Sequence, residues 1–275
     1  MGRPLARRLA AAGFAVTGWN RSPLPPELAD GVALAAGLAE AAAAGTVVLM
    51  LSDSAAAGEV LGRLEPHLAA GALVVDMGSS EPADSRARAA ALAARGVGWV
   101  DAPVSGGPGG AEAGTLAIMA GGLDADFERA LPLFRAVGGS VAHVGGPGAG
   151  HALKVVNQLI VALSTETVAE ALALAAALGF EAPLVQEAVR GGSADNPQLR
   201  VTGTRMGVRD YAPRAKVRTL LKDLRMAGRL ADELGLDLPQ LRLCLSLYEG
   251  VVERGCGDDD VAVLYELQAP DGRLR

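Results

Sequence analysis

Lys154, Asn157 and Gln158 are residues whose types and spacing could do chemistry. They stand at i, i+3 and i+4 in Gly148-Ala149-Gly150-His151-Ala152-Leu153-Lys154-Val155-Val156-Asn157-Gln158. The apolar residues after Gly150 predict a long helix to about Leu178, and on a helix that spacing gives one shared face. A helix apolar on most sides is a buried one, so a lysine and two amides on it need polar partners. Two readings fit: a lysine that snorkels to solvent beside two surface amides, or a polar face that meets a substrate.

Asp101-Ala102-Pro103-Val104-Ser105-Gly106-Gly107-Pro108-Gly109-Gly110-Ala111-Glu112-Ala113-Gly114 is the second such stretch. A strand runs into a loop with several glycines and one serine. Glycines let backbone N–H groups converge on an anion, and Ser105 adds a hydroxyl donor. A plain glycine-rich turn is the alternative.

The elements that must position these residues alternate. Strand signals fall on Ala15–Trp19, Gly31–Ala35, Thr46–Leu51, Ala72–Met77 and Val97–Ala102, with helix signals to Ala44 and over Ser54–Leu68 and Ala83–Ala94 between them. Short strand, helix, short strand predicts a parallel sheet with helices on its faces, and ligands in such sheets sit beyond the C-terminal strand ends. After the lysine helix only helix signals remain, over Ala182–Arg190, Leu220–Glu233, Leu241–Arg254 and Val261–Leu267. The expected domains are 1–146, dinucleotide-binding and Rossmann-like, and 147–275, all-helical.

Pro4, Leu5 and Leu9 predict a first helix stopped by Gly13 rather than a signal peptide, because the apolar run is short and leads into Trp19-Asn20-Arg21. A dinucleotide fold opens with a strand and G-x-G-x-x-G. Only Gly2 is placed to be the third glycine of that fingerprint. The expectation is therefore a Rossmann-like α/β domain lacking its first strand, with Met1 an internal methionine of a longer protein.

Composition narrows the rest. The 275 residues are 50% apolar and 20% charged, a globular balance, and the formal net charge of −6 argues against a nucleic-acid partner. Cys244 and Cys256 match no metal or redox spacing, which fits a cytoplasmic protein with incidental thiols. No metal site is expected. Nor does any apolar run reach the length of a membrane span once its charges and glycines are counted.

Four stretches together resemble the β-hydroxyacid dehydrogenase family, which includes 3-hydroxyisobutyrate dehydrogenase, tartronate semialdehyde reductase and the glyoxylate/succinic semialdehyde reductases. Met1-Gly2-Arg3-Pro4 with Trp19-Asn20-Arg21-Ser22 resembles the end of its cofactor fingerprint and its second strand. Asp101 to Gly114, continued by Met119-Ala120-Gly121-Gly122, resembles its substrate signature. Gly148 to Gln158 is similar to its G-x-G-x-x-x-K-x-x-N helix, and Leu221-Lys222-Asp223-Leu224 to its K-D-L motif.

The resemblance implies a hydride transfer between NADP(H), with NAD as the other cofactor, and a small β-hydroxy acid or its semialdehyde. Lys154 would be the catalytic general acid/base. Ser105, Gly106, Gly107 and Asn157, with Gln158 beside it, would hold the substrate carboxylate. Gly2, Asn20, Arg21, Ser22, Leu51, Ser52, Ser79 and Lys222 would bind the cofactor. Family members are usually homodimers or homotetramers. NAD-type sites place an acid on the ribose hydroxyl. Here Arg21 and Ser22 stand in that place and would suit a 2′-phosphate, so NADP is expected.

Two departures matter. Gln158 replaces a second asparagine found in many relatives, and Pro213-Arg214-Ala215 replaces their P-G-F. His143 and His151 flank the lysine loop and read as structural. The rival readings are an imine reductase on the same fold, which Lys154 argues against, and a non-catalytic remnant that serves as an interaction module.

Overall fold

The computed structural model describes residues 1–25 and 31–274. It divides into two compact units, Met1–Lys154 and Val155–Arg275.

In the first unit, helix α1 (Gly2–Ala11) buries Leu5 and Leu9. Strands β1 (Thr17–Gly18) and β2 (Ala33–Leu34) pair in parallel as a two-stranded sheet, followed by the short helix α2 (Leu38–Ala42). The main sheet begins with β3 (Thr46–Leu49), β4 (Leu73–Asp76) and β5 (Gly98–Asp101), all parallel. Helices α3 (Ser54–Leu64) and α4 (Pro82–Ala93) connect them. Among the described residues no strand joins β1 to β3, and the two sheets are separate. Asp53 caps α3 by accepting the Ala56 N–H at 2.9 Å, and Pro82 opens α4 at a position whose N–H needs no helical partner.

Beyond β5 the structure is richer than the sequence signals suggest. Short β6 (Val104–Ser105) pairs antiparallel with β7 (Leu116–Gly122), which also pairs with β5 and, in parallel, with β8 (Gly138–Gly145). The segment read as a glycine loop is in part a helix, α5 (Gly107–Ala113), ended by Gly114 in the left-handed region. Helix α6 (Asp124–Val137) crosses between β7 and β8 and buries Phe127, Leu133 and Phe134. One core lies under β4, β5 and β7, around Val75, Val100, Ile118 and Phe134. A second, around Val74, Leu92 and Trp99, holds α3 and α4. Side chains alternate across a strand, so Val74 and Val75 feed opposite layers.

Helix α7 (Ala149–Ala177) is 29 residues long, and the division between the units falls within it. It corrects the expectation about membrane spans. By length and composition alone α7 is long and apolar enough to cross a membrane. That window is 44% buried inside the protein. Val155, Val168 and Leu172 of this helix are buried in the protein, whereas Ile160 and Leu174 are exposed.

The second unit is helical throughout: α8 (Ala182–Ala188), α9 (Pro197–Val208), α10 (Val217–Glu233), α11 (Pro239–Glu253) and α12 (Tyr265–Gln268), with a short 3-10 turn over Val261–Leu264. Helix α9 has no counterpart in the sequence reading. It starts where Asn196 accepts the Leu199 N–H at 3.0 Å, with Pro197 behind the cap. Helix α10 turns Val217, Leu220, Leu221, Leu224 and Ala227 into the core around Tyr248 and Leu264.

Candidate active site

Asp76 and Asp101 end neighbouring strands in direct register, and both side chains are fully buried. Two adjacent carboxylates in a core need N–H donors or cations around them. Asp101 receives the Gly148 N–H on Oδ1 at 2.7 Å and the His151 N–H on Oδ2 at 2.9 Å. It thus caps α7, where a carboxylate also meets the positive end of the helix dipole. Burial pushes the Asp101 carboxyl above its usual range, against the opposing pull of His151 and of these N–H donors. Asp76 accepts the Gly78 N–H at 3.0 Å and the Ser80 hydroxyl at 3.1 Å, and Arg88 stands 3.9 Å away.

The glycines at the head of α7 have a steric reason. Gly148 sits at φ +86°, and a Cβ on Gly150 would fall 2.4 Å from the carbonyls of both Asp101 and Met119. Only a bare backbone can dock this close to the sheet.

This docking sets Lys154 one turn further on. Its half-buried Nζ donates to the Val104 carbonyl at 2.8 Å. Val104 and Ser105 are fixed in turn by pairing with Ile118 and Ala117. The structure therefore brings Lys154 to the strand that carries Ser105, with Gly106 and Gly107 exposed just beyond.

Asn157 and Gln158 follow on α7. Asn157 donates to Gln158 Oε1 at 2.9 Å, and Gln158 donates to Asp223 Oδ2 at 2.6 Å. Asp223 is buried on α10, and Lys222 Nζ stands 3.2 Å from its other oxygen. Lys222 therefore belongs with Asn157 and Gln158 through Asp223, a residue the sequence reading quoted but gave no role. A charge on the apolar side of an amphipathic helix was the available signal.

At the end of β1, Asn20, Arg21 and Ser22 are all exposed. Asn20 donates to the Ser22 carbonyl at 2.9 Å, and Arg21, 73% exposed, stands 3.9 Å from Glu59 on α3. Gly2, at the head of α1, faces Met50, next to Leu51. Ser52 donates to Asp53, the cap of α3, and Ser79 is half-buried in the turn that Asp76 holds. His143 stacks on Phe127 with ring centroids 4.4 Å apart, a packing role. Among the described residues no cluster of three or more His, Cys, Asp or Glu could hold a metal.

Residues 1–145 match the model of the NAD binding domain of 6-phosphogluconate dehydrogenase, and residues 148–268 match the NAD-binding domain of NADP-dependent 3-hydroxyisobutyrate dehydrogenase. An NAD-dependent L-serine dehydrogenase from Pseudomonas aeruginosa is 34% identical over 98% of this chain and 95% of its own length. The chain belongs to the β-hydroxyacid dehydrogenase family. The 2-hydroxy-3-oxopropionate reductase of Escherichia coli is 40% identical over 71% of this chain and 67% of its own. A crystal structure of 3-hydroxyisobutyrate dehydrogenase from Salmonella typhimurium superposes with a TM-score of 0.88 at 28% identity, covering 97% of this chain and 95% of that one.

As a member of this family it is an NAD(P)-dependent hydroxyacid dehydrogenase with a Rossmann-like domain followed by a helical one. Its residues fit a dinucleotide. Such a ligand needs donors at a strand end and close backbone approach. The β1 end offers exposed Asn20, Arg21 and Ser22. Gly78 lies against Leu51 so closely that a Cβ would be 2.7 Å from the Leu51 carbonyl.

Proposed function

We propose that this dehydrogenase interconverts a small β-hydroxy acid and its semialdehyde, prefers NADP(H), and uses Lys154 as general acid/base. One observation carries the reading: the Lys154 amine is held on the Val104 carbonyl, beside Ser105, Gly106 and Gly107. Cation, hydroxyl donor and exposed backbone N–H groups then stand together, as a carboxylate beside a reacting carbonyl requires.

Ser105 and the N–H groups of Gly106 and Gly107 hold the substrate carboxylate, with Asn157 and Gln158 completing its recognition. Asp223 fixes the Gln158 amide so that its Oε1 orients Asn157. In reduction, Lys154 donates a proton to the alkoxide oxygen as it forms. In oxidation, its neutral amine accepts the hydroxyl proton. The bound nicotinamide supplies or takes the hydride. Gly2, Asn20, Arg21, Ser22, Leu51, Ser52, Ser79 and Lys222 hold the cofactor. Arg21 and Ser22 favour NADP because both donate and no acid replaces them at that strand end.

The domains that carry these roles are 1–146 and 147–275. The working form is a cytoplasmic homodimer or homotetramer with a small carboxylate as its substrate and neither nucleic acid nor membrane as partner. Size-exclusion chromatography with light scattering tests the assembly.

The deciding experiment is a screen of small semialdehydes and of cyclic imines with NADPH and NADH, read by the absorbance of the reduced nicotinamide. Turnover of carboxylated semialdehydes with NADPH supports the proposal. Turnover of imines alone, or of neither class while NADPH binds, refutes it.

A further inference from the structure

We infer that His151 is a positioning residue: its buried ring bridges the carboxylate that shapes the Gly78–Ser80 turn and the carboxylate that caps the lysine helix. His151 is 1% exposed and sits in the first turn of α7, three residues before Lys154. Its Nε2 lies 3.9 Å from Asp76 Oδ2, and its Nδ1 lies 3.8 Å from Asp101 Oδ2. The Gly78 backbone also meets the ring, and its two side-chain neighbours stand just beyond hydrogen-bond distance. A fully buried imidazole set between two carboxylates asks for a reason.

The two carboxylates are not equivalent. The oxygen of Asp101 that faces the ring accepts the His151 N–H, and the oxygen of Asp76 that faces it accepts the Ser80 hydroxyl. Three charged groups surround the ring: Asp76 from β4, Asp101 from β5 and Arg88 from α4. Burial outweighs the pull of the two acids and holds the imidazole below its usual range. The neutral ring carries one N–H and so offers a donor to only one of the two carboxylates. A proton on the ring makes both nitrogens donors. Each then draws its carboxylate towards the ring, and Asp101 at the helix cap and Asp76 in the Ser80 turn shift on the donors they already hold. The cofactor turn and the lysine helix respond together, although neither touches the proton.

The coupling rests on the proposed role of Lys154 only for its effect on catalysis. Its structural part is tested without activity. The chain has three histidines, His67, His143 and His151, so ring resonances can be assigned by single substitutions. In a titration of the full chain by NMR, the His151 ring should protonate below the usual midpoint of about 6.5. The Gly78 and Gly148 amides should shift with the same midpoint. A ring that stays neutral down to about pH 4.5, or amides that stay still while it titrates, overturns the coupling.

The catalytic part is read in the pH dependence of kcat. Wild type should show an acid limb at the His151 midpoint, and His151→Gln should remove it while lowering kcat at pH 8 by less than about tenfold. An acid limb that persists in a folded His151→Gln overturns the catalytic part. Absence of turnover with every semialdehyde refutes the proposed function instead, and the NMR result then decides the coupling alone.

Discussion

Helix α7 meets two buried acids, and they are provided for unequally. Asp101, at its head, is surrounded by donors: two backbone N–H groups close on its two oxygens. Glu166, in its middle, is half provided for. Gln268 donates to Oε1, whereas Oε2 has no partner and Glu170 lies near. Around it burial pushes the Cys244 thiol up to about 12. At Asp101 the push of burial on the carboxyl is opposed by His151 and by the backbone N–H donors. At Glu166 burial, with Glu170 beside it, pushes the carboxyl from the usual 4.5 up to about 7. Hydrogen-bond donors gather around the acid at the head of α7 and are short around the acid in its middle.

The comparison can be broken in order of expected size. If the head of α7 is the chemical end, Lys154→Ala should lower kcat about a thousandfold or more while NADPH still binds. Steady-state kinetics with a cofactor titration checks this, and near-wild-type turnover would move the chemistry elsewhere. If Asp101 is a provided charge, Asp101→Ala leaves two helix N–H groups buried without acceptors. Unfolding free energy in urea should then fall by about 3 kcal/mol.

Glu166→Gln should do the reverse. A carboxyl raised on folding adds stability that is full below pH 4.5 and is lost as pH rises through about 7. Glutamine keeps the neutral shape, so the variant should gain up to about 3 kcal/mol over wild type at pH 8 and nothing at pH 4. A loss at pH 8 in urea unfolding would mean that Glu166 is needed as a carboxylate. His151 runs the other way. Its lowered value withdraws stability as pH falls below the usual 6.5. The smallest effect is far from α7. Arg21→Ala should shift the NADPH-to-NADH ratio of kcat/KM by about tenfold towards NADH, and an unchanged ratio would deny Arg21 its role.

The difference between the two acids explains what could be read without a structure. The extent of α7 was legible almost to the residue, because glycines open it and an apolar run sustains it. The parallel strands ending at Leu49, Asp76 and Asp101 were legible from their compact runs of Val, Leu and Trp. The return of the sheet was not. β7 is built of Leu-Ala-Ile-Met-Ala-Gly-Gly, and β8 carries glycines at both ends and faces solvent along most of its length. Neither shows the β-branched alternation that marks a strand. Helix α6 holds Pro132 in its interior, and α5 hides in a segment rich in glycine.

At the site, Lys154, Ser105 and the two amides could be named from their types, and the motifs of the family gave their order. The supports could not be named. Asp101 appears as the first letter of a glycine motif, and only strand register shows that it lies beside Asp76. Asp223 appears as the middle of K-D-L, and only the packing of α10 turns it towards Gln158.

The close docking of α7 also sets rules for anyone who would change what this enzyme accepts. Libraries that vary the lysine helix must hold Gly148 and Gly150 fixed, since any side chain at 150 collides with two strand carbonyls at once. Leu153 and Val156, both exposed on the same helix, can be varied freely by comparison. The helix thus offers an engineer a short stretch of interchangeable positions bolted to an anchor that accepts no alternative part.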